Sequence, residues 1–409
     1  MRLLILTQYF PPETGAPQNR LFELALRLKE KGIDVEILTA MPNYPKMEIM
    51  EGYKGLKYKE EEIEGLKVYR SKIYISKEKG IRKRLMVYFS FVFSSYKVGK
   101  KLGNYDYLMC ESPPLFLGYS AMRLSKKLKA KLIFNVSDLW PESAEKMGVV
   151  TNKFFLKMAY NLEAKIYRKS FFISGQATGI VGSIKKRFPE KDVYWLSNGV
   201  DTKTIDPDKI EPYGLREKYN IPGDQTVLFY GGILGHAQGL QIIVNAATHF
   251  KGEKVTFVLM GSGPEKDDLL ALQKEVEADN VIFAEPVGRT EVAHVLKEAD
   301  ASIIPLRKLD VFEGVIPSKI FEVLAMAKPI ILGVNGESKA FFIDEANAGL
   351  HYEPENTDAL VKAIRYALNH PVEMQEKGMN GRAYVEEKFD RELLVNNFYE
   401  YLKDKHQSI

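Results

Sequence analysis

The segment richest in usable chemistry is Glu313-Gly314-Val315-Ile316-Pro317-Ser318-Lys319-Ile320-Phe321-Glu322. Pro317 suits the first turn of a helix, and Ile320, Val323 and Leu324 give that helix an apolar stripe. A helix start offers unpaired N–H groups and partial positive charge. With Lys319 adding a full charge, the segment suits a phosphate. Glu322 lies one turn on, beside Ser318 and Lys319. A carboxylate there can accept hydrogen bonds from two neighbouring hydroxyls, which is what a ribose presents. The same spacing also fits a plain surface ion pair on an ordinary helix, and the segment alone leaves both readings open.

A second cluster is Asn135-Val136-Ser137-Asp138-Leu139-Trp140-Pro141-Glu142-Ser143, which follows the apolar strand Leu132 to Phe134. Asp138 and Glu142 can bond sugar hydroxyls, and Trp140 can stack on a ring face. Asp138 equally suits a helix N-cap ahead of Pro141. Further polar loop residues are Glu13, Thr14, Gly15, Gln18 and Arg20, with Glu111-Ser112-Pro113-Pro114 at another strand end.

These loops must be held by strands and helices, and the pattern shows which. Leu3 to Leu6 reads as a buried strand, Leu21, Leu24, Ala25 and Leu28 as a helix face, Gly32 as its stop, and Ile33, Val35 and Ile37 as the next strand. A strand–helix–strand unit implies a parallel sheet with its ligands at the carboxyl ends of the strands. The pattern restarts at Thr226 to Tyr230. Glycine loops follow successive strands there: Gly231 to Gly235, Gly261-Ser262-Gly263-Pro264, and Ala284 to Arg289 with Pro286, Val287 and Gly288. Two doubly wound α/β domains are therefore expected. The join falls in the proline-rich stretch between Lys185 and Gly223, where Asp206-Pro207-Asp208 reads as loop punctuation rather than a metal motif.

Composition excludes several alternatives. The chain has 409 residues, 45% of them hydrophobic and 27% charged, which is a folded globular balance. One cysteine, Cys110, rules out a disulfide framework, and the six histidines show no metal-ligand spacing. A net charge of +4 gives no case for nucleic acid. The apolar start is too short for a signal peptide, and no run is long enough to span a membrane, so a cytoplasmic location is expected. The stretch Arg82 to Lys101 is apolar nearly all round with basic ends. It reads either as a buried helix with solvated lysines or as a peripheral contact with the inner face of the cell membrane or with a lipid-linked substrate.

At these residues the sequence resembles the retaining glycosyltransferases of family four, which have the GT-B fold. The likeness is nearest to the branch that builds O-antigens, capsules and colanic-acid-type polysaccharides, often named as N-acetyl-fucosamine transferases. The matching pieces are Gln8-Tyr9-Phe10-Pro11-Pro12-Glu13, Ser112-Pro113-Pro114-Leu115, Asp138-Leu139-Trp140-Pro141-Glu142-Ser143, Ser197-Asn198-Gly199-Val200-Asp201, Gly239-Leu240, Gly261-Ser262-Gly263-Pro264 and Pro317-Ser318-Lys319 with Glu322.

The resemblance implies an acceptor-binding domain over residues 1–195 and a nucleotide-sugar-binding domain over 196–381. Helices from about residue 382 would cross back onto the first domain, and transfer would occur in the cleft between the two. It implies transfer of a sugar, an N-acetylated hexose or deoxyhexose, from a UDP-sugar to a lipid-linked saccharide, with no cofactor and no metal. The donor would be held by Gly15, Gly232, Gly263, the Pro286-Val287-Gly288 loop and Glu313 to Ile316, with Ser318 and Lys319 on the diphosphate and Glu322 on the ribose. The acceptor would meet Glu13, Arg20, Ser112, Asp138, Trp140 and Glu142. Asp138, Lys319 and Glu322 would carry the chemistry. This chain departs from the wider family in three places: Gly314 stands where the family has a first glutamate, and Ile233 and Gln238 stand where it has Arg and Lys. Lys319, with Arg307 or Arg20, would then neutralise more of the leaving group. A nucleotide-sugar 2-epimerase of similar build, or an inactive nucleotide-binding scaffold, are the alternatives.

Overall fold

Short apolar runs that must hide both faces form parallel sheets, and the helices between them supply the cover. The computed structural model describes residues 1–13, 15–44, 46–76 and 80–408; for Ala16, Pro17, Ile81 and Arg289 it describes the backbone only. Thr14, named above, lies outside the described residues. The chain divides into two units: Met1–Ser197 with the segment from Val395 onward, and Asn198–Leu394.

The first unit holds an eight-stranded sheet in the spatial order Tyr58–Ile63, Leu66–Ser71, Asp34–Ala40, Arg2–Leu6, Tyr107–Ser112, Lys131–Val136, Phe172–Gly175, Val193–Trp195. All neighbours are parallel except the first pair. One face packs on helices Ile81–Gly99, Gly118–Lys127, Lys153–Lys169 and Thr178–Arg187, and the other on Ala16–Glu30 and the C-terminal helix Arg391–Gln407.

The second unit holds six parallel strands in the order Val281–Ala284, Val255–Met260, Thr226–Gly231, Ala301–Pro305, Ile330–Gly333, Gly349–His351. Apolar cores fill both of its faces. In each sheet the strand order reverses beside the first strand of the unit, the place where loops splay apart and ligands fit.

The chain returns to the first unit at Val395, later than the expected residue 382. Helix Pro371–Lys388 belongs to the second unit because Met374, Tyr384 and Val385 are buried in its cores. A Cβ on Gly381 would press on Leu324, and Arg382 donates to the carbonyls of Ala325 (2.6 Å) and Thr202 (2.8 Å). Only beyond Asp390 do Val395, Phe398 and Leu402 carry their apolar face onto the first sheet, where Tyr401 donates to Asp192 (2.6 Å).

Candidate functional site

In the second unit the glycine loops interlock at the carboxyl ends of three adjacent strands. Gly232 N–H donates to the Met260 carbonyl (2.9 Å), Leu234 N–H to that of Ser262 (2.9 Å), and Gly261 N–H to that of Ala284 (3.1 Å). The backbones come so close that a Cβ on Gly261 would fall onto the Gly232 carbonyl oxygen, and one on Gly263 onto that of Leu234. Gly261 also has φ +155°. Gly263 thus packs its loop closely against Leu234. Gly261→Ala is expected to lower stability by about 1–3 kcal/mol through overpacking. Thermal unfolding checks this, and an unchanged midpoint would mean the loops are not locked together.

Lys319 opens the helix Lys319–Ala325, with Ser318 at the N-cap. Its ammonium lies 3.7 Å from the centroid of the Tyr230 ring and 3.0 Å from where a Cβ on Gly232 would stand. Tyr230 is the buried strand-end residue just before the glycine pair, and its hydroxyl donates to the Ile233 carbonyl (2.7 Å). Burial pushes Lys319 down to about 7, against the opposing pull of the Glu322 carboxylate. Lys319, Gly232 and Glu322 are therefore brought together around one ammonium that is poorly solvated and readily charged by an arriving anion. Tyr230 is the residue that sequence reasoning missed. Its signal was available in an aromatic placed directly before a glycine pair at a strand end.

The Glu313 to Ile316 segment follows a 3-10 turn, Asp310–Phe312, and is clamped from the next strand end. Glu337 N–H donates to the Glu313 carbonyl (2.7 Å), and the buried Ser338 hydroxyl to that of Val315 (2.8 Å). Gly336, at φ +69°, lets that backbone approach. The Glu313 side chain is exposed and Gly314, Val315 and Ile316 are half-buried. Pro286 and Gly288 are exposed, Val287 packs partly into the core, and Gly288 N–H donates to Glu291 (2.8 Å).

Of the two positions lacking the family's cations, Ile233 is an exposed apolar residue and Gln238 sits in a turn closed by its N–H to the Gly235 carbonyl (3.1 Å). Arg307 reaches this loop from the end of strand Ala301–Pro305. Its N–H donates to the Ala237 carbonyl (3.0 Å), and its guanidinium bonds His236 and pairs with Glu355 (3.4 Å).

In the first unit the predicted residues share the carboxyl edge of the sheet but have different local duties. Glu13 is buried and spends both oxygens on its own backbone, accepting from the N–H of Phe10 (3.0 Å), Asn43 (2.8 Å) and Tyr44 (2.9 Å). Burial still pushes its pKa up against those bonds. These bonds tie together the loop in which it sits. Gly15 is extended at the N-cap of helix Ala16–Glu30. Arg20 is buried beside Glu111 (2.7 Å) and Ser137 (3.1 Å), while its Nε and Nη1 meet no partner among the described residues. Glu111 also accepts from Asn135 (2.6 Å), so this is a closed carboxylate network with an open side on the guanidinium.

Asp138 accepts from the Ser143 hydroxyl (2.8 Å). Burial raises its pKa, partly offset by that bond and by the Leu139 N–H. Trp140 packs edge-on against Phe116 (5.3 Å) and Phe155 (6.3 Å). Ser112 is buried, its carbonyl accepting from Ser137 N–H (2.8 Å), and Glu142 pairs with Lys146 (2.8 Å).

Residues 214–384 match the family model described as "Glycosyl transferases group 1". Over 97% of this chain and 98% of its own length, WcaI of Escherichia coli K12, named for colanic acid biosynthesis glycosyl transfer, is 24% identical. WbjE of Pseudomonas aeruginosa, named as a glycosyltransferase, is also 24% identical, over 77% of this chain and 76% of itself. Among solved structures, sucrose-phosphate synthase from Thermosynechococcus elongatus superposes with TM-score 0.77 at 16% identity, covering 100% of both chains. HepE of Anabaena, in complex with UDP and glucose, gives 0.73 at 15% identity, covering 99% of this chain and 100% of that one. The chain has the GT-B fold, its second unit matches the group 1 glycosyltransferase model over residues 214–384, and along nearly its whole length the chain is similar to a protein named for colanic acid glycosyl transfer.

Proposed function

We propose that this protein is a retaining glycosyltransferase of surface polysaccharide synthesis that takes an N-acetylated hexose or deoxyhexose from a UDP-sugar and adds it to a lipid-linked saccharide. The observation that carries this reading is the buried Lys319 ammonium set against the Gly232 backbone and Glu322, in the unit that matches the group 1 model. HepE, of the same fold, binds UDP and glucose, and WcaI is named for colanic acid synthesis, which supports the donor and acceptor classes.

The second unit holds the donor. Lys319, Ser318 and the neighbouring N–H groups take the diphosphate, Glu322 the ribose hydroxyls, and the Pro286 to Gly288 loop the base. Backbone from Gly314 to Ile316 approaches the sugar. Preorganised positive charge lowers the barrier because negative charge grows on the diphosphate as its bond to the sugar breaks. The first unit holds the acceptor. Its hydroxyl, oriented by Asp138, attacks the sugar carbon on the face that the diphosphate leaves, and the departing phosphate oxygen takes its proton. Arg20, with N–H groups still open, offers the acceptor a charged hydrogen-bond donor. Cationic side chains do the work here, with no metal required.

Calorimetric titration with UDP, GDP and ADP, with and without magnesium, tests the donor site. Wild type is expected to prefer UDP and to bind it in the presence of a chelator. Glu322→Ala should weaken UDP about tenfold or more, the value of a lost charged hydrogen bond. Unchanged UDP affinity in that variant removes the ribose role, and absence of any nucleotide binding removes the enzyme reading. Product analysis separates the chemistries: UDP released only with acceptor present is transfer, and an altered sugar on intact nucleotide is epimerisation.

A further inference from the structure

Charge is distributed unevenly over this chain. The three helices Ile81–Gly99, Gly118–Lys127 and Lys153–Lys169 carry twelve lysines and arginines and a single carboxylate, Glu163. That carboxylate is buried against Arg187 (3.0 Å). The whole chain has an excess of only four positive charges, so the remainder is net acidic. The helices cover the same face of the first sheet. Gly118–Lys127 packs against both of the others, and Phe116, just before it, touches Phe89 of one (5.1 Å) and Phe155 of the other (6.1 Å). Among the described residues Lys97, Lys126, Lys157 and Lys165 have no carboxylate within ion-pair range.

The solvent side of this layer is not simply basic. Along helix Ile81–Gly99 the outward stripe reads Arg82, Met86, Phe93, Lys97, with Met86 50% and Phe93 65% exposed. Lys153–Lys169 presents Phe154 at 73% and Met158 at 52% exposure, one turn apart, with Val149 exposed just upstream. Water should select polar residues at such positions. Large apolar side chains between cations are what an anionic membrane surface selects. Phosphates draw in the cations, and the apolar groups enter the boundary between headgroups and acyl chains. A nucleic acid or other soluble polyanion would satisfy the lysines and leave Phe93 and Phe154 in water. No helix among the described residues is long and apolar enough to cross a membrane, so the contact is one of lying on the surface.

We propose that these three helices form one membrane-docking face, with Met86, Phe93, Phe154 and Met158 as its apolar anchors and the surrounding lysines and arginines as its contacts to anionic lipid headgroups. The sequence pointed only to the Arg82–Lys101 stretch; the structure adds the second anchor pair and the basic helix between. The inference rests on the lipid-borne acceptor proposed above.

Cosedimentation of the full chain with phosphatidylcholine vesicles, and with vesicles that also contain phosphatidylglycerol, is the test. Binding should be at least about tenfold stronger to the anionic vesicles and should fall with salt. Phe93→Ser, and separately Phe154→Ser with Met158→Ser, should each lower the partition coefficient about tenfold. Arg123→Glu with Lys126→Glu should lower it by at least as much. These positions are solvent-facing, so circular dichroism and UDP affinity should match wild type. No vesicle binding, equal binding to neutral vesicles, or binding indifferent to the Phe154/Met158 pair would each overturn the three-helix face. UDP titration reports separately on the glycosyltransferase reading, which can stand while this inference falls.

Discussion

Lys319→Met should lower kcat about 10²–10³-fold while weakening UDP no more than about tenfold, because its charge matters most where the leaving diphosphate gains charge. The physical ground is the position of the ammonium, which sits over the Tyr230 ring at 3.7 Å and is pushed by burial to about 7. Free enzyme at pH 8 therefore holds much of this residue neutral. A diphosphate placed beside it favours the charged form and raises its pKa, so binding at pH 8 should take up close to one proton. The sign follows from linkage. UDP affinity should be flat below about pH 7 and fall as pH rises above it, until the pKa of the bound state is reached. Calorimetry in buffers of different ionisation enthalpy measures the uptake directly. Lys319→Met should abolish both the uptake and the slope. A variant that changes KM alone, or a wild type that takes up no proton, would mean Lys319 supports the loop without stabilising the transition state.

Much of this arrangement is legible in the sequence, for reasons that are physical. Strands hidden on both faces, such as Leu3 to Leu6 and Thr226 to Tyr230, must be continuous apolar runs, and glycines such as Gly261 are dictated by backbones that nearly touch. Those features are local and survive in a one-dimensional reading. What the sequence cannot separate is whether a polar residue faces a ligand or its own loop. Glu13, Glu142 and Ser112 have the chemistry of acceptor ligands, and only the fold shows that Glu13 meets backbone N–H groups, that Glu142 pairs with Lys146 and that Ser112 is buried at its strand end. The partner of Lys319 was hidden for a related reason, since Tyr230 lies on a different strand-to-helix unit nearly ninety residues away and meets it only once the sheet is assembled. Register along the chain also misleads at the C-terminus. The return expected from about residue 382 falls inside helix Pro371–Lys388, whose buried face and the reach of Arg382 to Ala325 keep it with the second unit.

Asp138→Asn is expected to lower kcat about 10²-fold or more with UDP affinity unchanged, if the residue acts on the acceptor, as proposed, and not on the nucleotide. Asparagine keeps the shape of the side chain, so Ser143 retains a partner at 2.8 Å and the fold should survive. The pH profile distinguishes this role from a structural one. Burial raises the Asp138 pKa, and the hydrogen bonds from Ser143 and Leu139 pull it back. The ionised carboxylate is the stronger acceptor for the acceptor hydroxyl's hydrogen bond, so activity should fall on the acid side at a higher pH than an ordinary aspartate would give. Ser143→Ala removes one of the two bonds that favour the charged form, and should move that acid limb further upward while leaving the plateau rate nearly intact. In Asp138→Asn the limb should vanish from the residual activity. A Ser143→Ala profile that does not move, or an acid limb that persists in Asp138→Asn, would assign the titrating group to another residue and leave Asp138 as a cap on the turn that begins helix Glu142–Lys146.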